Sequence, residues 1–134
     1  QAGSGATSPS RKRSRPRMLL VEDEATTRKT LRRIFEEAGL EVHEAQDGRE
    51  ALDEAGRGRF AVVSTDVVMP RMDGYELTRR LREMPAYRDV PIIMISSKGE
   101  EPDKRAGFDA GVDHYVVKPF ERSQLLELME EVMR

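Results

Sequence analysis

The 134-residue sequence contains no cysteine. This absence excludes a disulfide framework, a thiolate nucleophile and a cysteine-ligated zinc site. No apolar run approaches the roughly 18 residues that a membrane-spanning helix needs. The first apolar run, residues 18–21, follows a basic stretch but ends too early for a signal peptide. We therefore expect a cytoplasmic protein without a membrane partner.

The composition is that of a soluble globular chain, with 37% hydrophobic and 36% charged residues, and the length suits one domain. The net charge of -2 conceals an asymmetry. Five of the 23 Lys and Arg residues, and none of the 25 Asp and Glu residues, lie in the first 17 positions, which leaves -7 on the rest. A body this acidic repels nucleic acid, so a nucleic-acid partner is not expected. The five basic residues are Arg11, Lys12, Arg13, Arg15 and Arg17.

Residues 1–16 are rich in Gly, Ser, Ala, Pro and Arg and show no apolar periodicity. This composition predicts a disordered basic linker or leader, followed by a domain over residues 17–134. A nucleic-acid-binding arm stays open as an alternative, although a short Arg/Lys run is a weak signal for one.

Strand-like and helix-like segments alternate from Arg17 onward. Strands are predicted over residues 18–21, from Val42, and over residues 60–63, 91–95 and 115–117, each followed by a helix. Five such units predict an α/β fold with a parallel five-stranded sheet and helices on both faces.

Two details of the helices are specific enough to test. Leu31, Ile34, Phe35 and Ala38 predict the buried face of the first helix, with Gly39 as its C-terminal stop. In the third helix, predicted from Gly74 to Met84, the run Arg79-Arg80-Leu81-Arg82 is interpreted as a solvent-exposed face.

Polar side chains follow four of the predicted strands. Glu22 and Asp23 follow the first strand, Asp66 the third, Ser96 the fourth and Lys118 the fifth. Because parallel strands present their C-terminal ends along one edge of the sheet, we expect these residues to converge. Three carboxylates, a hydroxyl and an ammonium suit a divalent cation together with a phosphoryl group.

Glu22 and Asp23 are adjacent carboxylates, which repel each other unless a cation or a basic partner lies nearby. Oxygen ligands of this kind favour Mg²⁺. The alternative is an acidic cap on the following helix, because carboxylates also suit a helix N-terminus.

Asp66 ends an apolar strand, where an unpaired charge is unfavourable, so this carboxylate is either paired or reactive. As a nucleophile it would form an acyl phosphate, with Mg²⁺ offsetting the repulsion between two anions. Lys118 has an ammonium able to reach this edge, and the Lys118–Pro119 bond is a candidate cis peptide. Ser96 offers a hydroxyl to a phosphoryl oxygen, the alternative being an ordinary loop hydroxyl.

From Arg17 to Arg134 the chain resembles the receiver domain of two-component response regulators. The resemblance rests on residues 19–24 (LLVEDE), 65–77 (TDVVMPRMDGYEL), 91–97 (PIIMISS) and 116–120 (VVKPF). It implies a flavodoxin-like, doubly wound (βα)5 fold with strand order 2-1-3-4-5.

The resemblance also implies a role for each matching residue. Asp66 corresponds to the phosphoacceptor, and Lys118 to the lysine that contacts the phosphoryl group. The implied Mg²⁺ ligands are Glu22, Asp23, Asp66 and the main-chain carbonyl of Val68. Ser96 and Tyr115 correspond to the switch residues, and Gly74 to a glycine in the loop after the phosphoacceptor. Two departures are mild: a serine replaces the commoner threonine at Ser96, and Glu22-Asp23 stands where many relatives have Asp-Asp.

The implied function is that of a phosphoacceptor in a phosphorelay, with self-dephosphorylation as its only catalysis. The donor would be a phosphohistidine on a histidine kinase or a histidine phosphotransfer domain. A downstream protein would bind the surface of the fourth helix, fifth strand and fifth helix. Residues 69–82 resemble receivers fused behind chemotaxis-type histidine kinases, so both a C-terminal receiver of such a kinase and a stand-alone receiver stay open.

Two other functions compete with this one. The first is a degenerate receiver that binds proteins independently of phosphorylation. The second is an Asp-nucleophile phosphatase of the haloacid-dehalogenase type. Such enzymes carry a second carboxylate two residues after the nucleophile, where this chain has Val68, which argues against a phosphatase.

Overall fold

A computed structural model describes residues 15–134, so residues 1–14, most of the predicted linker or leader, lie outside the described residues. The strands are β1 (Arg17–Val21), β2 (Glu41–Ala45), β3 (Val62–Thr65), β4 (Ile92–Ser96) and β5 (His114–Val117). The helices are α1 (Ala25–Glu37), α2 (Gly48–Arg57), α3 (Gly74–Glu83), α4 (Glu101–Ala110) and α5 (Arg122–Val132), with a 3₁₀ turn over Pro85–Tyr87. No helix within residues 15–134 is long and apolar enough to cross a membrane.

The five strands form one parallel sheet in the order β2-β1-β3-β4-β5, which confirms the predicted flavodoxin-like fold. Helices cover both faces, with α1 and α5 on one side and α2 and α3 on the other. Since both faces are covered, β1 and β4 contain continuous apolar runs rather than an alternating pattern. All five residues of β4 are buried, for example.

The third strand begins two residues later than predicted. It extends to Thr65, because its last two residues, Ser64 and Thr65, are buried although they are polar, and the apolar pattern stops at Val63. Phe60, taken as its first residue, is buried before the strand begins, with the Arg17 guanidinium 4.8 Å from its ring centroid.

The end of α1 also differs from the prediction. Ala38, expected on the buried face, is the exposed C-cap of the helix. Gly39 adopts a φ of 98°, a left-handed conformation that stops the helix. Its turn brings Leu40 inward, where the side chain is 1% exposed, so Leu40 fills the core position assigned to Ala38.

The prediction that Arg82 lies on an exposed face is wrong. Its side chain is only 19% exposed and donates hydrogen bonds to the carbonyl oxygens of Val90 (2.6 Å), Gly111 (2.7 Å) and Tyr87 (2.8 Å). It also pairs with Asp113 at 2.9 Å. Arg82 therefore ties the end of α3 to the loops that lead into β4 and β5. Arg79 and Arg80 do lie exposed, each paired with Glu76.

Candidate functional site

Three carboxylates meet at the C-terminal edge of the sheet. Glu22 and Asp23 follow β1, and Asp66 follows the neighbouring strand β3, in a register that pairs Val21 with Thr65. One oxygen from each carboxylate lies within 4.8 Å of the others. Glu22 is 1% and Asp66 8% exposed, whereas Asp23 is open to solvent. The predicted convergence of these three residues is therefore present in the structure.

Lys118 reaches the same cluster from the end of β5. Its Nζ lies 2.9 Å from Asp66 Oδ2 and 3.1 Å from Glu22 Oε1. The Lys118 amide donates to the carbonyl oxygen of Ser96 at 2.8 Å, and the Lys118–Pro119 peptide bond is cis. One ammonium thus pairs with two of the three carboxylates, Glu22 and Asp66.

Main-chain amides complete the contacts of the two buried carboxylates. The Val67 amide donates to Asp66 Oδ1 at 2.5 Å, and the Glu24 amide donates to Glu22 Oε2 at 3.1 Å. These donors orient the side chains, so that the acidic edge is formed before any cation binds.

Glu24 is the residue that caps α1, a role that the sequence left open for Glu22 and Asp23. Its side chain accepts hydrogen bonds from the amide of Thr27, at 2.7 Å, and from the Thr27 hydroxyl. Glutamate is not among the residues that usually cap helix N-termini, so the sequence carried no signal for this cap. The capping role of Glu24 leaves Glu22 and Asp23 available to the cluster.

The electrostatics of the cluster follow from burial and charge. Burial raises the pKa of Glu22, and the nearby Asp66 carboxylate adds to this, while the Glu24 amide and Lys118 oppose it. Burial on its own lowers the pKa of Lys118. The hydrogen bond and charge of Asp66, together with the charge of Glu22, outweigh the effect of burial, so the pKa of Lys118 is raised. A cation bound near Glu22 would relieve the cost of its ionisation.

Gly74, the first residue of α3, packs directly against the backbone of Asp66. A Cβ at this position would lie 2.0 Å from the Asp66 carbonyl oxygen, which only a glycine can accommodate. The Gly74 amide also donates to the Val67 carbonyl at 2.8 Å. The glycine therefore lets α3 begin beside the loop that carries Asp66.

Ser96 and Tyr115 both form a hydrogen bond with the main chain of Lys98. The buried Ser96 Oγ accepts a hydrogen bond from the Lys98 amide at 3.2 Å, and the Tyr115 hydroxyl donates to the Lys98 carbonyl at 2.6 Å. Tyr115 packs on Gly107, and burial raises the pKa of its hydroxyl. Among residues 15–134, the Ser96 hydroxyl makes no hydrogen bond to the carboxylates or to the Lys118 ammonium; only the Ser96 main-chain carbonyl contacts Lys118.

Val68 stands in the loop after Asp66 with its side chain 57% exposed. This residue cannot act as a proton donor or acceptor through its side chain, so the second carboxylate of a phosphatase is missing here. The role of its main-chain carbonyl as a cation ligand stays a prediction.

Residues 18–130 match the family model of the response regulator receiver domain. The chain belongs to this family. The match confirms the resemblance seen in the sequence and identifies the chain as a receiver domain of two-component signalling.

Curated and solved receivers agree with this assignment. The chain is 36% identical over 117 residues to the transcriptional regulatory protein SrrA of Staphylococcus aureus, covering 87% of this chain and 47% of the regulator. The receiver domain thus spans about half the length of the curated relatives it matches.

Two solved structures are similar across nearly the whole receiver domain. The chemotaxis protein CheY4 of Vibrio cholerae is 34% identical, with a TM-score of 0.84 over 89% of this chain and 99% of the other. The receiver domain of sensor histidine kinase PA1611 from Pseudomonas aeruginosa is 30% identical, with a TM-score of 0.82 over 88% and 97%. The PA1611 structure has a magnesium ion coordinated in its active-site cleft.

Proposed function

We propose that this receiver domain accepts a phosphoryl group on Asp66 in a Mg²⁺-dependent reaction. One observation carries the proposal: Asp66, Glu22, Asp23 and Lys118 converge on a single edge of the sheet, with Asp66 held by Lys118 at 2.9 Å. The transfer would form a bond from an Asp66 carboxylate oxygen to phosphorus as the phosphorus–nitrogen bond of a phosphohistidine breaks. The imidazole would leave with the electron pair of the broken bond.

The donor set fits Mg²⁺. This ion takes carboxylate and phosphate oxygens and keeps several waters, and the exposed Asp23 beside two buried carboxylates leaves room for them. The raised pKa of Glu22 indicates that Lys118 alone does not compensate the buried charge. Glu22, Asp23, Asp66 and the Val68 carbonyl would hold the ion, which would neutralise charge as the anionic donor approaches.

Lys118 would bind the phosphoryl group, since its ammonium already lies on Asp66. A cleft of about 420 Å³ opens beside it, lined by Thr27, Ser97, Lys118, Pro119 and Phe120. The mixed apolar and polar lining suits the imidazole of a donor. We therefore propose a histidine kinase or a histidine phosphotransfer domain as the phosphoryl donor, in the cytoplasm.

Signal output would pass through Lys98. Ser96 would turn its hydroxyl to the new phosphoryl group and give up its contact with the Lys98 amide. Because Tyr115 donates to the carbonyl of the same Lys98, a shift of this residue would change the position of Tyr115. Tyr115 lines a groove of about 440 Å³ between α4, β5 and α5, so this surface would recognise the downstream protein. The charge of the phosphoryl group on Asp66 would thus shift the domain between two conformations.

The test is intact-mass analysis after incubation with acetyl phosphate, in Mg²⁺ or in EDTA. The wild type should gain one phosphoryl adduct in Mg²⁺ only, and Asp66→Asn should gain none. Asp109→Asn, which changes an exposed aspartate of α4, is the matched control and should label like the wild type.

An adduct that persists in Asp66→Asn would assign the phosphoacceptor elsewhere. A wild type that gains no adduct and does not bind beryllofluoride would favour the degenerate receiver. Steady release of phosphate from small phosphate esters would favour the phosphatase.

A further inference from the structure

Arg28 in α1 folds back over the loop that carries Glu22 and Asp23. Its Nη1 donates to the Glu22 carbonyl at 2.8 Å and to the Asp23 carbonyl at 3.2 Å. Its Nε pairs with Glu44 Oε1 of β2 at 3.2 Å, and the side chain is only 14% exposed. One guanidinium thus joins α1, β2 and the main chain of both acidic residues.

The loop held by Arg28 is under electrostatic stress. Its two adjacent carboxylates face a third one on Asp66, and this repulsion favours conformations that separate them. On its β2 side the loop is anchored by the Glu22 amide, which donates to the Ala45 carbonyl at 3.0 Å. The carbonyl groups of Glu22 and Asp23 are anchored by Arg28.

We propose that Arg28 is a positioning residue for the divalent-cation site. It acts through the backbone of Glu22 and Asp23 and keeps their carboxylates at the spacing that the cation requires. The inference rests on the proposed function, because it concerns the same Mg²⁺ site. Outer-shell groups of this kind typically change metal affinity by about 10–100-fold when they are removed.

A guanidinium close to a cation site also has an opposing effect, since its charge repels the metal. Here two carboxylates balance two guanidiniums: Glu44 pairs with Arg28 at 3.2 Å and with Arg32 at 2.7 Å, and Glu36 pairs with Arg32 at 2.9 Å. The hydrogen bonds from Arg32 and Arg28 hold the pKa of Glu44 below its ordinary value, so the pair stays charged at neutral pH. Positioning therefore outweighs repulsion.

The experiment is a calorimetric titration of each protein with Mg²⁺ alone. Arg28→Ala should weaken Mg²⁺ binding by about tenfold. Arg28→Lys should recover part of the loss, because an ammonium can donate to the loop carbonyls but lacks the second nitrogen that lets Arg28 pair with Glu44 at the same time. Arg32→Ala is the matched control: it removes the other arginine on Glu44 and a pair with Glu36, and contacts neither loop carbonyl.

Arg32→Ala should bind Mg²⁺ within about twofold of the wild type, because exposed ion pairs contribute little. The free energy of unfolding without Mg²⁺ is measured for every variant, so that a general loss of stability is separated from a loss of affinity. Equal or tighter Mg²⁺ binding by Arg28→Ala would overturn the inference. An equal loss in Arg32→Ala would overturn it as well.

Glu44→Gln keeps the proposal testable if Arg28→Ala does not fold. It leaves Arg28 without its counter-charge and should weaken Mg²⁺ binding several-fold, whereas unchanged binding would count against the proposal. A wild type that binds no Mg²⁺ would overturn the proposed function together with this inference. Normal wild-type binding with an unaffected Arg28→Ala would overturn this inference alone.

Discussion

Replacing Lys118 by methionine tests the electrostatic account of the site. The substitution keeps an unbranched side chain of similar length but removes the ammonium that lies 2.9 Å from Asp66 and 3.1 Å from Glu22. Two nearly buried carboxylates then lose their cationic partner. We expect the substitution to lower the free energy of unfolding, by an amount that depends on pH.

The magnitude is bounded from two sides. At an effective dielectric constant of about 20, each unit-charge pair near 3 Å is attracted by roughly 5 kcal/mol before desolvation is counted. Proton uptake sets the upper limit. Protonating a carboxyl with the ordinary Glu22 pKa of 4.5 costs about 4 kcal/mol at pH 7.5, and less when the pKa is raised. We expect a loss of about 3–4 kcal/mol at pH 7.5, which is the lower part of the range for a broken buried pair.

The sign of the pH dependence follows from the raised pKa of Glu22. For such a group, the stabilisation is fully present below the ordinary value of 4.5 and is lost as pH rises through the higher folded pKa. Without Lys118 the pKa of Glu22 rises further, so the variant should lose more stability at pH 7.5 than at pH 5.0.

The assay is urea unfolding of the wild type and Lys118→Met at both pH values without Mg²⁺. The control is Lys104→Met, which removes an exposed partner of Glu101 and should change stability by less than about 1 kcal/mol. A Lys118→Met deficit below about 0.5 kcal/mol, or one that is the same at both pH values, would refute the reasoning.

Three further predictions concern the site and the fold around it. Adding Mg²⁺ should raise the melting temperature more at pH 7.5 than at pH 5.0, because protons compete for Glu22, whose pKa is raised; an equal rise at both values contradicts this. Gly74→Ala should destabilise the fold by about 2–3 kcal/mol, since its Cβ would overlap a carbonyl oxygen. The control is Gly56→Ala, in an open helical position, which should be neutral or stabilising by up to about 1 kcal/mol in urea unfolding. Equal changes in the free energy of unfolding for the two variants would exclude the proposed overlap. Arg82→Met should lower the free energy of unfolding by about 2–3 kcal/mol, because it leaves carbonyl groups unpaired. The control Arg79→Met, at an exposed position, should lower it by less than about 0.5 kcal/mol. Similar urea unfolding midpoints for the two variants would contradict this account.

The convergence of Glu22, Asp23 and Asp66 could be predicted because it depends only on strand ends. Apolar runs identify the strands, and parallel strands end at one edge. No knowledge of side-chain conformation is needed, and Lys118 joins the cluster for the same reason.

Arg82 and Arg28 could not be predicted in this way. Arg82 belongs to a run of similar residues. Its inward orientation depends on the carbonyl groups of Val90, in the loop before β4, and of Gly111, which is distant in sequence. Arg28 likewise depends on the path of a loop and on Glu44 of another strand. Long cationic side chains follow tertiary surroundings, which apolar periodicity does not encode.

The residues of the acidic cluster come from distant parts of the chain. Glu22 and Asp23 come from β1, Asp66 follows β3, and Lys118 follows β5, so the complete set exists only when these three strands lie in one sheet. A fragment that ends before β3 would have two of the carboxylates, and one that ends before β5 would lack the ammonium. Because a cation that binds the assembled set adds its binding energy to folding, Mg²⁺ affinity would report how much of the sheet has formed.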